Sequence, residues 1–315
     1  MQQLKDNGII VLKQFFPKNK IDNLRESAKD VFKIQFKYFG YTDFDSEDGF
    51  KNSMIRLFEE HFEIFQSTGK LIQSGLVELY KIVYDDILLD KLIRGLAVSG
   101  VDGVMASADI LEELAWLGAL EEKVAIGTMN RGGIIGASWE LDDRLTAYDA
   151  EHIRSMGLDG GKTLLRIDET DPGTARTIEM VAAVTTQLAD FELVSMIEPL
   201  PYIKNESGRA VLDPSEEKLI KVVSIASGLG SSSAYTWLKI PAPANPEKVA
   251  AATSCPILLL GGDPGSNWEE VFAKWEKALT VPNIRGLVPG RALLYGEDLD
   301  VEAAVSRAAK MVRKS

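Results

Sequence analysis

The chain has 315 residues, 45% of them hydrophobic, with 47 acidic against 35 basic side chains and a formal net charge of -12. That balance argues against nucleic acid and against an anionic membrane surface as partners, since both require a surplus of Lys and Arg. No apolar run reaches bilayer-spanning length, Met1-Gln-Gln-Leu-Lys-Asp leads into no secretory h-region, and Cys255 is the single cysteine, so the expectation is a cytoplasmic protein without internal disulfides.

In chain order, Gly8–Leu12 reads as a strand, followed by helical patterns over about 17–39 and 50–81. Ten of the twelve Phe lie in residues 1–65, whereas all five Trp lie at or after Trp116. The chain therefore reads as two pieces, a mostly helical segment at 1–82 and a second piece at 83–315. The second piece opens with a helical pattern over Tyr84–Ala97. Apolar strand runs then recur at Val101–Ala106, Lys123–Met129, Lys162–Ile167, Leu193–Ile197, Tyr235–Ile240, Ile257–Leu260 and Arg285–Val288, most of them followed by a helical pattern. Helix starts are marked by Asp109 with Glu112, by Asp171-Pro172 and by Asp213-Pro214 with Glu217. Seven βα units predict an α/β fold, a (β/α)8 TIM-type barrel or most of one, whose chemistry sits where strands end and βα loops begin.

Ser233 to Pro241 reads as a buried strand that carries Lys239 to its C-terminal end. Apolar neighbours make an ammonium costly there, which lowers the amine's pKa and favours a nucleophile that can form a Schiff base. The competing reading is a lysine that snorkels into solvent. Strand alternation adds a geometric expectation: if Lys162, Glu198 and Lys239 all point inward, they come from the fourth, fifth and sixth strand positions, with the carboxylate between two amines. Such a carboxylate can shuttle protons, although a purely structural ion pair filling the barrel fits the same pattern. Arg166 and Asp168 share the parity of Lys162. The last two strands end in Gly-Gly-Asp-Pro-Gly (261–265) and Pro-Gly-Arg (289–291), which place Gly261, Gly262, Gly290 and Arg291 where barrels commonly bind phosphate.

Residues 84–315 resemble the class I Schiff-base (β/α)8 aldolases of the deoxyribose-phosphate, tagatose-bisphosphate and deoxy-keto-gluconate-phosphate group. The matching segments include Gly-Val-Asp-Gly-Val (100–104), Met-Asn-Arg-Gly-Gly (129–133), Asp-Asp-Arg-Leu-Thr-Ala-Tyr-Asp (142–149), Gly-Leu-Asp-Gly-Gly-Lys (157–162), Ile-Glu-Pro (197–199), Tyr-Thr-Trp-Leu-Lys-Ile-Pro (235–241) and Gly-Arg-Ala-Leu-Leu-Tyr (290–295). The resemblance implies Lys239 as the imine-forming lysine and Lys162 and Glu198 as proton-handling partners. It also implies a phosphate near Gly262, Gly290 and Arg291, and a phosphorylated sugar or keto acid as substrate. No metal or organic cofactor is implied, and a homo-oligomer is left open. The first strand of such barrels, with its acidic segment, has no counterpart before the helix at Tyr84. The alternative function is thus a truncated or fused barrel, catalytically impaired, that only binds sugar phosphate.

Asn7 to Phe16 with the Ile21-Asp22-Asn23-Leu24-Arg25 helix weakly resembles the entry of phytanoyl-CoA dioxygenase-like proteins. Their iron ligands are not matched, because neither His61 nor His152 is followed by Asp two residues on. Three further features have plain readings beside the functional ones. Asp109 with Glu112 reads as a capping box, the alternative being that Asp109 also faces the site. Asp142, Asp143 and Asp149 read as solvated helix-entry charge rather than as metal ligands. Trp237 either lines the pocket or fills the barrel.

Overall fold

The computed structural model describes residues 18–61, 64, 88–130, 137, 139–261, 268–294 and 300–314. The chain divides into two compact units, residues 1–90 and 91–315. The strand read at Gly8–Leu12 lies outside the described residues.

In the first unit, α1 (Lys18–Tyr38) and α2 (Glu47–Glu60) are joined by a turn in which Gly40 takes φ +75°. Phe32 and Phe36, one helical turn apart, face inward, and the fully buried Phe36 ring meets those of Tyr41, Phe44 and Phe50 at 5.3–5.9 Å. Ser46 caps α2 by accepting from Gly49 N at 3.0 Å. Helix α2 ends at Glu60, and His61 beyond it takes φ -141° with its ring stacked on Phe39 at 3.8 Å. Ile64 is again helical, and most of the span expected to be helical up to 81 lies outside the described residues.

Helix α3 (Leu88–Ala97) leads into the second unit. Its strands are β1 (Gly103–Ala106), β2 (Val124–Thr128), β3 (Gly160–Ile167), β4 (Val194–Lys204), β5 (Ala210–Leu212), β6 (Thr236–Ile240), β7 (Ile257–Leu260) and β8 (Ile284–Val288). Seven run parallel in the order β1-β2-β3-β4-β6-β7-β8, and β5 hairpins antiparallel onto the far end of β4. Helices alternate with them: α4 (Ala108–Trp116), α5 (Ala150–Ser155), α6 (Gly173–Asp190), α7 (Glu216–Ser227), α8 (Pro246–Ala250), α9 (Trp268–Ala278), α10 (Arg291–Leu294) and α11 (Val301–Lys314). The sheet curls into a nearly closed (β/α) barrel, as the repeating pattern predicts. Among the described residues no strand joins β1 to β8, and both edge strands are only half-buried where β3 is almost wholly buried.

Between sheet and helices, Leu111, Met129, Tyr148, Ile153 and Leu188 form an apolar core. Gly161 lets Met129 approach, since a Cβ there would stand 2.3 Å from its sulfur. The start of α4 differs from the expected capping box: Ser107 occupies the cap position, and Asp109 sits exposed in the first turn. Asp171 and Asp213 act as local turn acceptors for Gly173 N and Ser215 N, with Ser215 capping α7. Strand β4 runs seven residues beyond the predicted end at Ile197, through Pro199 and Pro201. This is tolerated because its pairing with β6 ends at Ile197, leaving an edge where a missing N–H breaks no ladder bond. Among the described residues no helix is long and apolar enough to cross a membrane.

Candidate active site

Parallel strands bring all their C-terminal ends to one mouth, so inward-facing residues on β3, β4 and β6 share a chamber. Register puts Leu164 opposite Glu198 and Ile197 opposite Leu238, which sets Glu198 and Lys239 at nearly one level, with Lys162 one inward position below. The lysine stem spans that difference. Lys239 Nζ lies 2.6 Å from Glu198 Oε1, and Lys162 Nζ lies 2.6 Å from Glu198 Oε2. The arrangement expected from strand alternation is present, and the three groups are all buried.

Burial pushes the Glu198 carboxyl upward, but the two flanking ammoniums outweigh it and hold the carboxyl below its ordinary value. For Lys239, burial dominates and lowers the amine below the ordinary lysine range, aided by the Lys162 charge and opposed by Glu198. A carboxylate shared by two amines can relay a proton between them, and an amine disposed to lose its proton is a nucleophile in a dry chamber. Trp237, half-buried, has the parity of Lys239 and pairs in register with Met196, one inward position below Glu198.

One turn of the pleat closer to the mouth, Arg166 is committed elsewhere. Its Nε and Nη2 grip Asp143 at 3.0 and 2.7 Å, Nη2 also donates to the Glu140 carbonyl, and the Tyr202 ring covers the guanidinium at 5.3 Å. Burial works against the guanidinium, and Asp143 more than offsets it, so its pKa is raised. Asp142 and Asp143 are therefore buried ion-pair partners rather than solvated charge, Asp142 binding Arg144 at 2.7 Å. Asp149 alone of that trio behaves as helix-entry charge, capping α5 through His152 N. His152 in turn bonds Asp149 through Nδ1. Asp168 is buried with Oδ1 accepting from Thr170, while its Oδ2 has no hydrogen-bond partner among the described residues.

Sequence reasoning missed Asn130. This buried amide donates to Leu164 O at 2.9 Å and accepts from Leu164 N at 2.6 Å, extending the β2–β3 ladder through a side chain and fixing the strand that carries Lys162 and Arg166. A lone Asn just past a strand end carries no signal of that kind. Of the glycine positions, Gly261 directly follows β7 with its Cα packed so that a Cβ would meet Ala292 Cβ at 2.9 Å, and Gly290 is exposed with open space beside it. Gly262 lies outside the described residues. Arg291 opens the short helix α10.

The sequence model of the Cgl0159-like family matches residues 82–309. A crystal structure of Cgl0159 from Corynebacterium glutamicum (Brevibacterium flavum) is 44% identical, covering 72% of this chain and 76% of that one at a TM-score of 0.69. The chain belongs to the Cgl0159-like family. An archaeal fructose 1,6-bisphosphate aldolase shares the fold at 17% identity and TM-score 0.56, covering 75% of this chain and 86% of that one. A Schiff-base-forming fructose-1,6-bisphosphate aldolase does so at 18% and 0.54, covering 71% and 82%. No curated protein matches the chain.

Proposed function

We propose that this chain is a class I aldolase-type lyase that makes or breaks a C–C bond of a phosphorylated sugar or keto acid through an imine on Lys239. The observation that carries the reading is the buried Lys162–Glu198–Lys239 relay on three adjacent barrel strands. Neutral Lys239 Nζ attacks the substrate carbonyl carbon to give a carbinolamine, which loses its oxygen as water once Glu198 or Lys162 has supplied a proton. The resulting iminium draws in the electron pair of the bond between its α and β carbons as that bond breaks, while a carboxylate or neutral amine of the relay takes the proton of the β-hydroxyl. An aldehyde departs, an enamine remains, and protonation followed by hydrolysis returns the free amine.

The phosphate is assigned to Gly261, Gly262, Gly290 and Arg291 at the ends of β7 and β8, in keeping with the open space beside Gly290. Arg166 is reassigned: with Asp143 neutralising it, it secures the β2–α5 loop to β3 rather than holding a substrate anion. The chemistry belongs to residues 83–315, with 1–82 a separate segment, and a cytoplasmic setting suits the single thiol of Cys255. A second reading, a barrel that binds sugar phosphate without turnover, is favoured by the half-buried edges of β1 and β8.

The two separate in a turnover assay on a panel of phosphorylated ketoses, aldoses and keto acids. Cleavage by the native chain, lost in Lys239→Met and rising with pH below the ordinary lysine range, supports the lyase. Calorimetric binding of a panel member with no cleavage at any pH supports the second reading.

A further inference from the structure

The outer wall of the barrel carries two surfaces of opposite charge that the chemistry above does not use. The first is the solvent face of α4. Leu111 and Leu114 point to the core, which leaves Glu112, Glu113 and Trp116 on one outer face at helical spacings of three and four. Trp116 is 76% exposed, the most exposed large apolar side chain among the described residues of the second unit. Glu121 and Glu122 stand exposed just beyond it. Trp is the residue type most enriched among interface anchors, and here it shares its face with carboxylates.

The second surface is a cleft of about 450 Å³ between α9 and α11. Phe272 and Met311 give it an apolar floor, and Arg307, Lys310 and Lys314 line it with Glu276 as the opposing charge. Arg307 is held by Glu269 at 2.6 and 2.7 Å and lies over the Phe272 ring at 4.1 Å, so one wall is pre-ordered. Lys310 and Lys314, four residues apart, have no ion-pair partner among the described residues. In a chain of net charge -12 this cationic cleft is a local exception. Its two lysines, one helical turn apart, give it a positive charge opposite in sign to the Glu112–Glu113 face beside Trp116.

α4 leaves β1 and α11 follows β8, the two ends of the sheet, so both surfaces lie on the same side of the nearly closed barrel. We propose that two copies of this chain pair about a twofold axis on that side, Trp116 of each entering the α9–α11 cleft of the other, with Glu112 and Glu113 facing Lys310 and Lys314. A twofold makes the contact reciprocal, so each copy uses both surfaces once. This pairing is independent of the lyase reading, since none of its residues lies at the barrel mouth.

The test is sedimentation velocity on the full chain. The native protein is expected to sediment as a dimer whose dissociation constant rises with salt, and Trp116→Ala is expected to weaken it at least about tenfold. Lys310→Glu/Lys314→Glu and Glu112→Lys/Glu113→Lys should each be monomeric alone, because like charges then face each other, and should form a heterodimer when mixed. A native chain that stays monomeric overturns the proposal. So does a dimer indifferent to Trp116→Ala, or two charge-reversed variants that fail to pair on mixing. All five substitutions are on exposed positions, and circular dichroism checks that each variant is folded.

Discussion

Replacing Glu198 by Gln removes the one negative charge between two buried ammoniums while keeping the volume. Each Nζ–carboxylate contact is 2.6 Å, which at an effective dielectric constant of about 20 corresponds to about 6 kcal/mol of gross attraction per pair. Desolvation already offsets much of that, so the net loss is that of breaking a buried pair, about 3–5 kcal/mol near neutral pH. The loss should also depend on pH. Without Glu198, burial and Lys162 both lower the Lys239 pKa unopposed, so over the range between that lowered value and the ordinary lysine value the unfolded chain binds more protons. Stability of the variant therefore rises with pH across that window, and its deficit shrinks between about pH 7 and about pH 9.5. All five Trp lie beyond residue 91, so urea unfolding followed by tryptophan fluorescence reports the barrel alone. A variant within about 1 kcal/mol of the native chain at both pH values would refute the buried triad.

Lys162→Met should slow turnover by about two to four orders of magnitude while leaving sugar-phosphate affinity in calorimetry near native, if Lys162 handles protons. Gly290→Val and Arg291→Ala should weaken phosphorylated ligands far more than dephosphorylated ones in the same titrations; equal weakening would remove the phosphate from that site. Gly103→Ala places a Cβ 2.0 Å from Val124 O, against backbone that cannot swing aside, so a loss of about 1–3 kcal/mol is expected in urea melts. Glu302, bonded to Arg94 at 2.5 and 2.6 Å, has its carboxyl held down to about 2. The contribution is present above the ordinary carboxyl value and is lost as pH falls toward about 2. Because the pair is partly exposed it is worth only about 1 kcal/mol, seen as a shallower acid-unfolding slope in Glu302→Gln.

The strand rhythm was legible because parallel strands covered on both faces read as unbroken apolar runs, and all seven runs became strands. The relay was legible for a related reason: alternation fixes which residues face inward, and adjacent strand positions fix which of those meet. β5 was not, since three residues after a Ser-Gly turn are too few to show a period. The extension of β4 was hidden by two prolines that normally end a strand. Asp142 and Asp143 were misread because charge in a loop looks solvated until its partners are known, and Arg166 lies 23 residues from Asp143. Asn130 escaped for the same reason, its partner Leu164 lying 34 residues on. Contacts set by loop closure rather than by period leave no local trace.

The central claim is a covalent one, and borohydride reduction with peptide mass analysis addresses it most directly. Incubating the native chain with a panel of phosphorylated ketoses, aldoses and keto acids, then reducing, should add the mass of one reduced substrate to the peptide that contains Lys239. Lys239→Met should carry no adduct at that position. Adduct on no lysine, or only on exposed lysines such as Lys310 and Lys314, would contradict the imine mechanism.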